Sequence, residues 1–277
     1  MKSEKVQEIP LPPPLTKGER GGFSGDVLTI VGWLWQSEQY HSRYTPENAN
    51  IWARMIHRNL TLPHRFVLFT DYFDRAAIQN PKSEIENPFD PLIDALPLWD
   101  DYHLLGNPVW RPEFPQCYVR LKAFSKEMVA VLGPRFASID LDCIVVGNLD
   151  EILGRTEDFV IYRQPARQSF DKAQPYNGSM WLMNTGCRPR VWEDFHGAES
   201  LAPFVGDPKR EHFLQTDQGW MAFTLGLQEQ GWSDRDGVVM WSWLQHKGWK
   251  LPDNARIVFF NGKTKPWDYL WIGENYG

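Results

Sequence analysis

Two carboxylates one residue apart, Asp140 and Asp142, stand inside the run Arg-Phe-Ala-Ser-Ile-Asp-Leu-Asp-Cys-Ile-Val-Val-Gly-Asn-Leu from Arg135 to Leu149. Apolar residues lead up to the pair and resume directly after it. Alternate side chains of an extended strand share a face, so both aspartates are expected to point one way and Leu141 back into the core. Two carboxylates at the mouth of a buried strand repel each other and lose hydration unless a cation sits between them. A hard divalent cation with oxygen ligands answers that need and gives a metal-diphosphate site. The competing reading is structural, with one aspartate capping a turn and the other solvated. Spacing alone leaves both readings open. An EF-hand is excluded, because its loop needs glycine where Val145 stands.

Other stretches carry groups of the same kind. Asp217, in Gln-Thr-Asp-Gln-Gly, opens a helical run, where it or Thr216 can serve as N-cap. Asn177-Gly-Ser begins a strand, and a glycine beside an asparagine there suggests a backbone that something approaches closely. Gly262-Lys-Thr has the look of a phosphate loop, but the Walker pattern needs glycine where Ile257 stands. What remains is a strand end, a glycine turn and two lysines, Lys263 and Lys265, a place to hold a phosphate. His57 and His64 read as surface or packed histidines.

These groups need elements to hold them. Asp26 to Trp35 is apolar on both faces, as a central parallel strand should be. Thr45 caps a helix with Pro46 at its first position, and Trp52, Met55, Ile56 and Leu60 keep its period to about Asn59. His64 to Asp71 is a second strand, which completes a right-handed βαβ unit. Ligands of such sheets sit beyond the carboxyl ends of the strands, which brings Trp35, Tyr44, Thr70 and Asp71 near one crevice. For the aromatics, core packing competes with base stacking. Residues 72–115 are loop with short elements, including a turn of helix near 74–79. Pro115 to Leu132 reads as a helix. Arg120 and Lys122 flank its apolar face close to the aspartate strand, with Lys122 the more solvated. Shorter strands are expected at 158–162, 177–186 and 255–260, and short helices after Asn148 and from Pro189.

The chain as a whole limits the choices. Its 277 residues suit one large α/β domain or two small ones. With 29 basic and 35 acidic residues the net charge is −6, which argues against nucleic-acid or anionic-membrane partners. Three widely spaced cysteines form no zinc or disulfide pattern and suit a reducing cytoplasm. No apolar run approaches the ~18 residues of a membrane span, and no signal-peptide core is present. Residues 1–24, rich in proline and glycine, read as a disordered leader. The 14 tryptophans belong mostly to the core, yet sugar clefts also use aromatic faces, so an exposed cluster of them would be informative.

The order of motifs resembles the GT-A glycosyltransferases, most closely family 8, the glycogenin and bacterial lipopolysaccharide galactosyltransferase group. The likeness runs from about Val27 to Trp267 and rests on Thr-Asp after the βαβ start, Asp-Leu-Asp, Asn-Gly-Ser, Asp-Gln-Gly and Phe-Phe-Asn-Gly-Lys-Thr-Lys-Pro-Trp. It implies an α/β fold of one domain over residues 25–277, with a Rossmann-like, mixed but mostly parallel central sheet flanked by helices. It implies transfer of a hexose from a nucleotide sugar, UDP-hexose above all, to a glycan, lipid-linked or protein acceptor, with retention of configuration. Asp140 and Asp142 would bind Mn²⁺ or Mg²⁺ and the donor, with Arg120 beside them. Asn177 and Gly178 would line the sugar pocket, and Asp217 and Gln218 would contact the transferred sugar as the catalytic candidates, Asp217 as nucleophile or oxocarbenium stabiliser and Gln218 as the alternative. Gly262 and Lys265 would grip the diphosphate, while Trp35 or Tyr44 flanks the base and Asp71 contacts the donor. The family's third metal ligand is a histidine in the last motif. Here the choices are Phe259, which cannot ligate, and Asn261, which can do so weakly through its amide oxygen. A non-catalytic nucleotide-sugar or sugar-binding module is the alternative function. A nucleotidyltransferase ranks last, because Trp33-Leu-Trp-Gln-Ser stands where its Gly-rich basic loop would be.

Overall fold

A computed structural model describes residues 27–35, 44–73, 86–107, 111–164, 175–202, 216–244, 248–262 and 264–268. The expected leader 1–24, the turn of helix at 74–79 and Lys263 lie outside the described residues. Strand β1 (Leu28–Leu34) is buried along its whole length. Its side chains alternate between two apolar layers. Leu28, Ile30 and Leu34 face one layer, while Val31 and Trp33 face the other. That alternation explains why a strand with no polar face had to be central.

Helix α1 (Pro46–Asn59) starts as its capping signals dictate, with the Thr45 hydroxyl accepting from the Asn48 N–H and the Asn48 side chain reaching back. It buries Trp52, Met55 and Ile56 against the first layer. Gly32 lets the helix sit close, since a Cβ there would stand 3.0 Å from Trp52 and from Leu68. Strand β2 (His64–Thr70) then pairs parallel with β1, and β3 (Ile93–Pro97) pairs parallel with β2. The hairpin β4 (Gly106–Asn107) and β5 (Arg111–Pro115) follows.

The remaining strands of the large sheet are β6 (Arg135–Ile139), β8 (Phe159–Arg163), β9 (Tyr176–Asn184) and β10 (Gln230–Trp232). Its order is β10-β8-β9-β6-β1-β2-β3, antiparallel only where β9 meets β6 and β8. The expected mixed, mostly parallel sheet is therefore present. A second sheet joins β7 (Cys143–Val145), β12 (Ile257–Phe259) and β11 (Val238–Met240), with β7 antiparallel to β12.

Two expectations are corrected here. The run Arg135 to Leu149 is not one strand. Strand β6 ends at Ile139 in the large sheet, and β7 begins at Cys143 in the small one. Asp140, Leu141 and Asp142 form the crossing between sheets, and of the three Leu141 is the apolar one, buried in the first layer. Nor is Pro115–Leu132 one helix. It is built of 3-10 turns over Cys117–Phe124 and Lys126–Met128 and a short α-helix, Val129–Leu132, with an extended Ser125 between the first two. Tyr118, Val119, Arg120, Leu121, Ala123 and Phe124 are all buried, and the exposed residues Lys126, Glu127, Val129 and Ala130 come only after them, so no single solvent face runs along the segment to define an amphipathic helix.

Candidate active site

The site forms where β6 ends. The N–H of Asp140 donates to the carbonyl of Ser179 on β9 (2.9 Å), and the carbonyl of Asp142 accepts from the N–H of Phe260 after β12 (2.8 Å). Each aspartate is thus anchored by its backbone to a different sheet. Their carboxylates are met by different cations. Arg120 donates through Nη1 to Asp140 Oδ1. Its Nε and Nη2 both donate to Asp217 Oδ2, at 3.0 and 2.7 Å. Lys265 Nζ lies 2.6 Å from Asp142 Oδ2, and the Tyr44 hydroxyl donates to that oxygen at 2.7 Å.

Asp217 is the first residue of α2 (Asp217–Leu225), and Thr216 is the N-cap residue, without a side-chain capping bond. The capping reading of Asp217 is thereby replaced by a buried ion pair with Arg120, both side chains being 5% exposed or less. The guanidinium also lies over the Trp181 ring, 5.1 Å from its centroid. Gly178 leaves room for this arrangement. A Cβ there would stand 2.8 Å from Arg120 Nη2 and 3.4 Å from Asp217 Oδ2. The Gly178 N–H donates to Gln218 Oε1 (2.9 Å), which ties β9 to the start of α2. Asn177 turns its amide on Ser179 N–H and Gln164 Oε1 instead.

Three carboxylates thus share two cations. Burial raises the Asp140 carboxyl to about 6, with Arg120 opposing and Asp142 and Asp217 adding to the rise. Burial likewise raises Asp217 against the pull of Arg120. For Arg120, burial opposes the charge, but Asp217 and Asp140 outweigh it and hold the guanidinium protonated. The Tyr44 phenol is pushed well above its ordinary range by burial and by Asp142.

Known structures share this architecture. A galactosyltransferase, LgtC, solved in complex with donor and acceptor sugar analogues, is 12% identical, with 90% of this chain and 95% of that chain covered and a TM-score of 0.57. An active-site mutant of LgtC gives 12% identity, 87% and 89% coverage, and 0.53. The apo form of glycosyltransferase GlyE from Streptococcus pneumoniae TIGR4 gives 14%, 90% and 60%, and 0.51. The chain has the GT-A fold. No family model and no curated protein sequence matches it.

On the GT-A scaffold the expected site residues divide into two groups. Arg120, Asp140, Asp142, Asp217, Gln218, Gly178, Lys265 and Tyr44 form one connected constellation. Trp35 and Asp71 follow the paired residues Leu34 and Thr70, so they lie at the same carboxyl edge of the sheet. Trp35, however, packs on the second apolar layer and Tyr44 on the first. Asn261 and Gly262 are exposed in the turn after β12. Lys122 pairs with Asp101 at 2.6 Å rather than facing solvent alone. Spacing gives no sign of the Tyr44 hydroxyl's role, and the ring was expected only to flank the base. Trp267, the end of the last motif, meets Tyr44 edge-on at 5.6 Å.

The donor set can be tested against a divalent cation. Phe259 is fully buried and stacked on Tyr162, which leaves Asn261 as the candidate neutral ligand of the two. Among the described residues no cluster of three His, Cys, Asp or Glu side chains forms a metal site. Burial chiefly raises the Asp140 carboxyl, and Asp142 and Asp217 add to the rise. Added positive charge between Asp140 and Asp142 would offset it, and their oxygen donors are of the kind a hard divalent cation takes.

Proposed function

We propose that this chain is a glycosyltransferase that moves a hexose from a nucleotide sugar, in first place a UDP-hexose, to an acceptor. One observation carries the reading: Arg120 and Lys265 each hold one aspartate of the Asp-x-Asp pair at the carboxyl edge of a GT-A sheet. Ligands of open α/β sheets bind at that edge. Cations there oppose the negative charge that gathers on a departing diphosphate.

Asp140 and Asp142, with Asn261, would hold Mn²⁺ or Mg²⁺, which supplies further positive charge toward the diphosphate. Arg120 stays fixed for the donor because Asp217 binds two of its nitrogens. That grip makes Asp217 a positioning group for Arg120 rather than a free nucleophile. Gln218 is held by Gly178 and offers its amide nitrogen to the sugar. The reaction then runs on one face of the sugar. The anomeric C–O bond to the diphosphate breaks, the acceptor oxygen bonds to the anomeric carbon from the same side, and its proton passes to the departing diphosphate. Configuration is retained, and no enzyme nucleophile is required.

No helix among the described residues is long and apolar enough to cross a membrane. All three cysteines are free thiols, in keeping with a reducing cytoplasm.

The test is a panel of nucleotide sugars, each incubated with and without Mn²⁺ and assayed for release of the nucleoside diphosphate. Metal-dependent release of UDP from one UDP-hexose is expected. Tight UDP binding without release from any donor would convert the reading to a binding module. Absence of UDP binding would overturn both.

A further inference from the structure

Trp243 and Trp249 stand outside the constellation of the donor site. Trp249 is 46% exposed, one of the few large apolar side chains left open among the described residues. Its backbone is left-handed (φ 64°), directly after Gly248 (φ 65°), a conformation that a bulky residue adopts only under constraint. The constraint is visible. The Trp249 N–H donates to the Leu244 carbonyl (2.8 Å), and its ring packs tilted against Trp241 at 4.9 Å. Trp241 in turn stacks on Phe260 at 4.9 Å, and the Phe260 N–H holds the Asp142 carbonyl. An exposed ring is thus fixed two aromatic contacts away from the Asp-x-Asp segment.

From Trp249 the chain runs into the wall of an open cavity of about 630 Å³ lined by Trp243, Asp234, Arg235 and the run Lys250 to Asn254. Its wall is set before any ligand arrives. Asn254 Nδ2 donates to the carbonyls of Asp234 (3.1 Å) and Arg235 (2.9 Å), and Ser233 caps the turn that carries them. The lining combines a tryptophan with carboxylates, an amide and two cations. Sugars match that combination, because their C–H faces lie on aromatic rings while their hydroxyls bond to acids and amides. Two acids, Asp234 and Asp253, balance two cations, Arg235 and Lys250, so no net charge favours an anionic ligand.

We propose that this cavity, with Trp243 in its wall, is a second carbohydrate-binding subsite, which takes a neutral oligosaccharide, and that the exposed Trp249 ring just before Lys250 extends it. Its use for seating a glycan acceptor rests on the glycosyl-transfer reading. Its binding of the oligosaccharide does not.

Calorimetric titration of the full chain with neutral gluco-, galacto- and N-acetylglucosamine oligosaccharides of three to six units tests this, with UDP titrated separately. At least one series should bind. Trp243→Ala should weaken that binding tenfold or more and Trp243→Phe less, and Trp249→Ala should weaken it as well, with UDP affinity unchanged in all three. Equal oligosaccharide affinity in wild type and Trp243→Ala, or no binding of any series, overturns the subsite. Intact oligosaccharide binding with no UDP binding would leave the subsite standing and remove the transfer reading alone.

Discussion

The ammonium of Lys265 lies 2.6 Å from Asp142 Oδ2, across 123 positions of sequence, and closes the loop after β12 onto the crossing between the two sheets. Both side chains are 10% exposed or less. Breaking a buried pair from one side costs about 3–5 kcal/mol, and the retained Tyr44 donor puts this case at the low end. Lys265→Met should therefore lower Tm by about 6–12 °C, at about 2–4 °C per kcal/mol for a domain of this size. Calorimetry with and without Mn²⁺ should show the metal recovering more Tm in the variant than in wild type, since it replaces a lost cation on Asp142. An unchanged Tm would show that the pair contributes nothing in solution.

Asp142→Asn keeps the shape and the backbone link to Phe260 but removes the charge. Nucleoside diphosphate release should fall on the order of 10²–10³-fold, the effect of losing one preorganised electrostatic group. The far-UV circular dichroism should stay that of the wild type. Turnover at the wild-type rate would sink the assignment of the pair.

Gly178 faces a guanidinium that cannot step aside, because Asp217 binds it through two nitrogens. Gly178→Ala places a methyl group 2.8 Å from Arg120 Nη2. Forcing apart such a packed pair costs about 1–3 kcal/mol. Denaturant melts should show that loss, together with a fall in donor turnover larger than in Asn177→Ala, whose side chain makes no bond to Arg120 or Asp217 among the described contacts. Wild-type turnover in Gly178→Ala would mean Arg120 need not hold this position.

The pH dependence follows from Asp140. Its folded carboxyl is raised to about 6, above the ordinary aspartate value near 3.9. A raised carboxyl favours the folded state while it is protonated. Its contribution is present below about pH 4 and is lost as pH rises through about 6. Metal-free protein should thus be stabilised by this group on going from pH 7 to 5, and Asp140→Asn should flatten that slope. Saturating Mn²⁺ should flatten the slope as well, since a cation on Asp140 favours the carboxylate. An equal pH slope in wild type and Asp140→Asn would contradict this.

Much of the frame was legible because local chemistry and tertiary packing agree there. Thr45, Pro46 and the apolar spacing of Trp52, Met55 and Ile56 specify α1, and the two-sided apolar run of β1 specifies a central strand. The break at Asp140 was not legible, since apolar residues flank the pair on both sides and alternation cannot report a change of sheet. The 3-10 turns around Arg120 were hidden for a related reason: with six of the eight residues of Cys117–Phe124 buried, no periodic polar face marks them. Partners such as Tyr44 and Asp142, 98 positions apart, leave no trace in spacing.

Tyr44 carries the last prediction. Its hydroxyl donates to Asp142 Oδ2 and accepts from Lys265 Nζ at 2.6 Å, and the ammonium lies 4.7 Å from its ring centroid. The ring also meets the edge of Trp267. Tyr44→Phe removes only the hydroxyl. It should cost about 1–3 kcal/mol, because a buried acceptor loses one of two donors. Tyr44→Ala should cost more, since the ring contacts to Trp267 and Lys265 go as well. If the hydroxyl positions Asp142 and Lys265 for the donor, Tyr44→Phe should raise KM for the nucleotide sugar more than it lowers kcat. If the ring instead only stacks on the base, as the sequence suggested, Tyr44→Phe should behave as wild type and Tyr44→Ala alone should lose donor affinity. Steady-state kinetics on the two variants separates these roles.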